Sequence, residues 1–178
     1  MKIRLASDIT IDSAVDGEGL RTVIWTQGCP HHCPGCHNPE THDMTKGLLV
    51  DTQDIIDRIR NIELQDGVTF SGGDPMMQPE ACAEIASALK ASGLNIWCYT
   101  GFKFEDLIKS THHIEFLKQI DVLVDGRFEI DKKSYDCLFR GSTNQRIIDV
   151  KKSLRKGAAV EIKKFNKKRQ KDLDLALI

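Results

Sequence analysis

Cys29-Pro30-His31-His32-Cys33-Pro34-Gly35-Cys36 places three thiols within eight residues. Three thiolates can hold three irons of a four-iron cluster, which takes four protein ligands when closed. The fourth iron is then open, and an open coordination position is what a metal centre needs to act on a bound molecule. Steps of four and three would put the cysteines on one face of a helix, but Pro30, Pro34 and Gly35 oppose a helix there. A tight loop wrapping one object is the expectation. Two other chemistries use cysteines. Structural zinc normally takes ligands in two separated pairs; His31, His32 or His37 could complete a Cys3His set in a zinc-stabilised binding module, though no second pair follows. Disulfides need an oxidising compartment, and Met1-Lys2-Ile3-Arg4 opens no apolar signal segment, so reduced thiols in a cytoplasmic setting are expected.

The remaining cysteines carry no such pattern. Cys82 shares a helical stripe with Ile85, Ala86 and Leu89 and reads as a small buried hydrophobe. Cys98 sits in the apolar run Ile96-Trp97-Cys98-Tyr99, and Cys137 has no partner nearby in sequence. The chain has 178 residues, 40% of them hydrophobic, enough for one domain with a real core. No apolar run is long enough to span a membrane. A net charge of -1 argues against nucleic acid as the main partner. The charge is uneven: residues 151–171 hold ten Lys or Arg against Glu161 alone. Such a run is a solvated tail or a docking surface for an acidic protein.

The elements that must position the cysteine loop alternate along the chain. Residues 22–26 read as a strand feeding the loop directly, 68–71 as a second strand ending at Gly72-Gly73-Asp74-Pro75, 96–99 as a third and 122–124 as a fourth. Residues 146–150 make a fifth, and 159–162 a sixth. Between them, Asp51 or Thr52 caps a helix that buries Ile55, Ile59 and Ile62. Another helix runs from Pro79 to Ser92, and two shorter ones start near Phe104 and Phe116. This alternation predicts an α/β fold with a parallel sheet and its site at the carboxyl ends of the strands. A closed eight-stranded barrel needs about 200 residues or more, so the expectation is a partial, open TIM-like barrel of about five or six parallel strands with outer helices. Residues 1–155 would form this domain, and 156–178 a basic C-terminal extension.

A three-cysteine loop after the first strand and a Gly-Gly-Asp turn after the second resemble the radical S-adenosylmethionine (SAM) superfamily. The resemblance implies that Cys29, Cys33 and Cys36 hold [4Fe–4S] and that the open iron chelates the amino and carboxylate groups of SAM. Reductive cleavage then gives a 5′-deoxyadenosyl radical that abstracts hydrogen. Six stretches in order are similar to the activating proteins of anaerobic (class III) ribonucleoside-triphosphate reductase. They are Asp16-Gly17-Glu18-Gly19-Leu20-Arg21, residues 28–39, Ser71-Gly72-Gly73-Asp74-Pro75, Tyr99-Thr100-Gly101, Val124-Asp125-Gly126-Arg127-Phe128 and residues 140–146. The match covers roughly residues 10–150 and leaves the basic end outside it.

That closer resemblance implies a protein substrate, the reductase, on which a glycyl radical is generated, and a one-electron donor such as flavodoxin. Gly35, Cys36 and His37 match the stretch lying against the adenosyl group. Gly72 and Gly73 match the turn at the methionine amino group, with Asp74 beside it; bare glycine backbone lets polar groups approach an ammonium closely. No catalytic side chain beyond cluster and cofactor is implied. Many superfamily members carry an aromatic residue at the position of Gly35, and His37 offers a ring from nearby instead. Asp125, Arg127 and Asn144 are expected to face the site, with an Asp–Arg ion pair as the structural alternative for the first two. Neighbouring readings are an activase of pyruvate formate-lyase and a small-molecule enzyme of the deazapurine synthase type.

Overall fold

The computed structural model describes residues 1–165. The chain enters through β1 (Lys2–Leu5) and β2 (Thr10–Ser13), then β3 (Arg21–Thr26), β4 (Leu48–Asp51) and α1 (Thr52–Arg60). Two strand–helix units follow, β5 (Gly67–Gly72) with α2 (Pro79–Ala91) and β6 (Asn95–Tyr99) with α3 (Phe104–Leu107) and α4 (Thr111–Gln119), and then β7 (Val122–Asp125). A loop over residues 126–145 leads to β8 (Arg146–Asp149) and α5 (Val150–Lys156). The Asp51 carboxylate caps α1 by accepting from the Gln53 amide, and Gly157 ends α5 in the left-handed region at φ 70°.

All eight strands join one mixed sheet ordered β4-β1-β3-β5-β6-β7-β8, with β2 also paired to β3. The expected run of five or six parallel strands is corrected here. Parallel pairing covers β3, β5, β6 and β7 only, while β8 runs antiparallel to β7 and β1 antiparallel to β3. The reason lies in the connection: the chain reaches β8 through a loop with no crossover helix, and a parallel partner needs one. The sixth strand expected at 159–162 reduces to a single bridge between Ile148 and Glu161. The basic run starting at Lys151 is helical at first, as α5. Residues 166–178, which hold most of the expected extension and its last basic residues, lie outside the described residues.

Alternation along the strands splits the core in two. On one face Ile24, Phe70, Ile96, Cys98, Leu123 and Ile148 pack with every long helix through Ile55, Ile59, Ile85, Leu89 and Phe116. On the other, Trp97, Val122, Val124 and Ile147 are covered by Phe139 and by Phe165. There Trp97 meets Phe139 and Phe165 edge-on, each at 5.5 Å, and the buried Arg21 guanidinium stacks over it at 5.3 Å. Both faces being buried explains the unbroken apolar runs Ile96-Trp97-Cys98-Tyr99 and Val122-Leu123-Val124.

Candidate functional site

The carboxyl ends of β3, β5, β6 and β7 open into one cavity of about 620 Å³. Cys29, Cys33, Cys36, His37, Gly72, Gly73 and Asp74 line it, together with Thr100, Gly101 and Arg127. Beneath it, the cysteine loop is pinned at its base: the amides of Gly28 and Cys29 donate to the carbonyls of Thr41 and His42 at 2.8 and 3.2 Å. The Gln27 side chain ties the far end of the loop by donating to Glu40 and Asp43 carbonyls. The loop is not helical, and His32 and Gly35 take positive φ of 46° and 72° within it. Gly35 does not reach the cavity wall; a Cβ there would meet Ile130 Cδ1 at 2.8 Å.

One of the three sulfurs accepts a main-chain hydrogen bond. The Asn38 amide donates to Cys36 Sγ at 3.4 Å. The His31 amide favours the thiolate of Cys29, and the Phe128 amide, from beyond β7, favours that of Cys33. Burial nevertheless dominates: it pushes the Cys29 thiol up to about 11 and raises Cys33 as well. Thiols of that kind give up the proton to something that binds the thiolate, as a metal does. Among the described residues, no three His, Cys, Asp or Glu side chains gather as ligands of one metal ion would.

The Gly-Gly-Asp turn is built onto the exit of β3. The Gly73 amide donates to Thr26 O at 2.7 Å and the Asp74 amide to Gly28 O at 2.8 Å. Gly72 takes φ +98°, and a Cβ on Gly73 would lie 2.4 Å from Gly28 O. The glycines therefore serve the contact between this turn and the cysteine loop, whatever else they meet. The Asp74 carboxylate, 1% exposed, accepts from the Thr100 hydroxyl, the amides of Gly101 and Met76, and His31 Nε2.

Asp125 does not face the cavity as an Asp125–Arg127 pair. It is buried, accepts the Phe104 amide and binds Arg146, which also reaches Glu105 at 2.7 and 3.0 Å. The expected Asp125–Arg127 ion pair is thus replaced by an Asp125–Arg146 pair. Arg127 lines the cavity, whereas Asn144 lines a neighbouring one and donates to Arg127 O at 2.9 Å. The loop over 126–145 closes the far side: Tyr99 Oη donates to Phe139 O at 2.9 Å, and Phe128 lies 4.9 Å from the His37 ring. Sequence reasoning missed His31 as a partner of Asp74, the Phe128 amide and the presence of Cys137 in the cavity wall. Strand-end position alone marked Phe128, and Cys137 lies in mid-loop with no sequence signal of its own. Cys82 and Cys98 are fully buried in the helix-side core.

Residues 15–148 match the family described as a 4Fe-4S single cluster domain. The anaerobic ribonucleoside-triphosphate reductase-activating protein of Enterobacteria phage T4 is 34% identical over 139 residues, covering 75% of this chain and 86% of that protein. The proteins of the same name from Haemophilus influenzae and Escherichia coli K12 are 33% and 34% identical, over 75% and 74% of this chain and 90% and 89% of theirs. Among solved structures, QueE from Escherichia coli aligns with a TM-score of 0.47 and 14% identity over 74% of each chain.

Proposed function

Because the chain belongs to the family of anaerobic ribonucleoside-triphosphate reductase-activating proteins, with a 4Fe-4S single cluster domain, we propose that it is a radical SAM activase that generates a glycyl radical on that reductase. Cys29, Cys33 and Cys36 are the proposed ligands of [4Fe–4S]. The donor set fits the group: three thiols line one cavity, and the Asn38 amide donates to Cys36 Sγ. A cluster spreads thiolates over the corners of a cube, so it does not need the convergence that a single ion demands. When bound, such a cluster supplies one electron for cleavage of SAM, whose adenosyl fragment takes a hydrogen atom from the glycine of the partner.

The chain's own residues bind and orient. A cavity of about 620 Å³ lies within the range of about 300–1,000 Å³ usual for small-molecule sites. Cys36 and His37 line the wall proposed for the adenosyl group, and Gly72 and Gly73 the wall proposed for the methionine end. Gly35, set under Ile130, shapes the loop between them. Helices cover only one face of the sheet, which supports reading residues 1–155 as a partial barrel with an open side wide enough for a peptide loop. No helix among the described residues is long and apolar enough to cross a membrane. A reduced, cytoplasmic setting and a flavodoxin-type donor complete the reading.

The observation that carries it is the gathering of three cysteines in one cavity at the carboxyl ends of four parallel strands. Anaerobic reconstitution is expected to give about four irons per chain, and reductant with SAM to give methionine and 5′-deoxyadenosine. Electron paramagnetic resonance of a mixture with the reductase should then show a glycyl signal. A colourless protein holding one zinc refutes the cluster; a signal on pyruvate formate-lyase and none on the reductase refutes the partner. Changing any of Cys29, Cys33 or Cys36 to Ala should abolish SAM cleavage.

A further inference from the structure

The sheet ends at β4, which among the described strands pairs with β1 alone. An open edge is normally blunted by charge, by proline or by a covering segment. This one begins instead with Leu48 and Leu49, 64% and 58% exposed. Successive strand residues point to opposite faces, so the head of β4 is bare on both. Met44, 43% exposed, carries the same apolar surface back to the exit of the cysteine loop.

That edge stands beside the cysteines. Leu48 is level with Leu5, and Leu5 with Thr26, the last residue of β3. Two strand spacings make the separation about 10 Å, and Thr26 comes three residues before Cys29. Met44 lies on the base of the loop, where a Cβ on Gly28 would meet its Sδ at 2.7 Å. The carbonyls of Thr41 and His42, just before it in the chain, hold the amides of Gly28 and Cys29. Met44, Leu48 and Leu49 are not among the residues that line the cavity. A second protein can therefore sit on this patch while a peptide occupies the cavity.

We propose that Met44, Leu48 and Leu49 form the docking surface for the protein that reduces the cluster, a one-electron donor with an acidic rim around its redox group. This rests on the reading of Cys29, Cys33 and Cys36 as cluster ligands. Size decides between occupants. The four residues of β4 span about 13 Å, whereas a stable interface buries about 1,200–2,000 Å². Redox encounters fall below that range, and a donor must leave again after each electron. Position agrees, since the electron has to arrive beside the cluster by a route other than the occupied cavity. Charge agrees as well. Lys2, Arg4 and Lys46 border the patch against Asp43 and Asp51, which gives an apolar centre in a polar rim of net positive sign.

The test is stopped-flow reduction of the anaerobically reconstituted protein by reduced flavodoxin, with dithionite as a small donor that needs no docking surface. Combining Leu48→Asp with Leu49→Asp spares the core, because both side chains are exposed. Below saturation, flavodoxin should reduce this double variant about tenfold more slowly than the wild type, and dithionite should reduce both at the same rate. Lys46→Glu should also slow flavodoxin, with the difference vanishing at high salt. A double variant that flavodoxin reduces at the wild-type rate overturns the proposal, and so does equal slowing with dithionite. A wild-type dimer that the double variant breaks into monomers gives the edge to a second copy of the chain instead. Loss of the glycyl signal in the double variant under dithionite gives it to the reductase. A wild type that dithionite reduces and flavodoxin does not overturns the docking proposal alone, whereas a wild type that assembles no four-iron cluster overturns the ligand reading itself.

Discussion

Gly73→Ala adds one methyl group at the point where two main chains touch. The new Cβ would lie 2.4 Å from Gly28 O, 2.9 Å from Gly28 C and 3.0 Å from Gly28 N. Non-bonded heavy atoms rest at about 3.5 Å or more, and both sides of this contact are backbone that no rotamer change can clear. Gly73 has no positive φ, so space and not conformation decides the outcome. Separating the turn from Gly28 stretches the Gly73–Thr26 and Asp74–Gly28 hydrogen bonds. Two bonds at about 0.5–1.5 kcal/mol each give about 1–3 kcal/mol, the same size as the usual penalty of about 1–3 kcal/mol for overpacking. Urea denaturation of the anaerobic protein should show that loss. Iron content after reconstitution should fall with it, since Gly28 is the residue before Cys29. Wild-type stability and full iron, with only SAM affinity reduced, would refute the packing argument and show that the glycine serves the cofactor alone.

Other perturbations separate scaffold from site. Arg146 holds the Glu105 carboxyl at about 2, well below its ordinary value, chiefly through their hydrogen bonds. A depressed carboxyl stabilises the fold above its unfolded pKa, and the gain is lost as pH falls towards 2. Acid titration of stability from about pH 4.5 to 2 should therefore be shallower in Glu105→Gln than in the wild type. Arg146→Met strands the buried Asp125 charge and should cost about 3–5 kcal/mol in urea, without touching the thiols. Phe165→Ala opens the aromatic cluster around Trp97 and should cost about 3–5 kcal/mol, measured the same way. Cys82→Ala should retain iron and lose about 1 kcal/mol; loss of iron there would contradict its place in the core.

Much of this arrangement is legible in the amino-acid order because the strands that matter are buried on both faces. Residues 96–99 are apolar without a break, 68–71 are interrupted only by the small Thr69 and Ser71, and each is followed at once by Gly or Thr-Gly. Lys2–Leu5 and Leu48–Asp51 escaped notice because charges interrupt one and the exposed Leu48 and Leu49 head the other. β8 was legible as a strand, but its direction depends on what the loop over 126–145 does, and loop composition says little about that. The cysteines announce themselves by spacing. The Asn38 amide that donates to Cys36 does not, since every residue has one and only the fold selects it. Asp125 shows the reverse error: a motif neighbour, Arg127, looked like its partner, while pairing β7 against β8 brings Arg146 opposite it.

The place of Phe128 in the same cavity wall as the cysteines has a consequence for biogenesis. A growing chain displays all three thiols long before the ribosome releases residue 128. At that stage the cavity around them lacks the wall that the loop over 126–145 supplies. Under the proposed ligation, loading of a cluster is expected to follow closure of β7 and that loop, and a truncated product ending before it is expected to be a poor acceptor of iron.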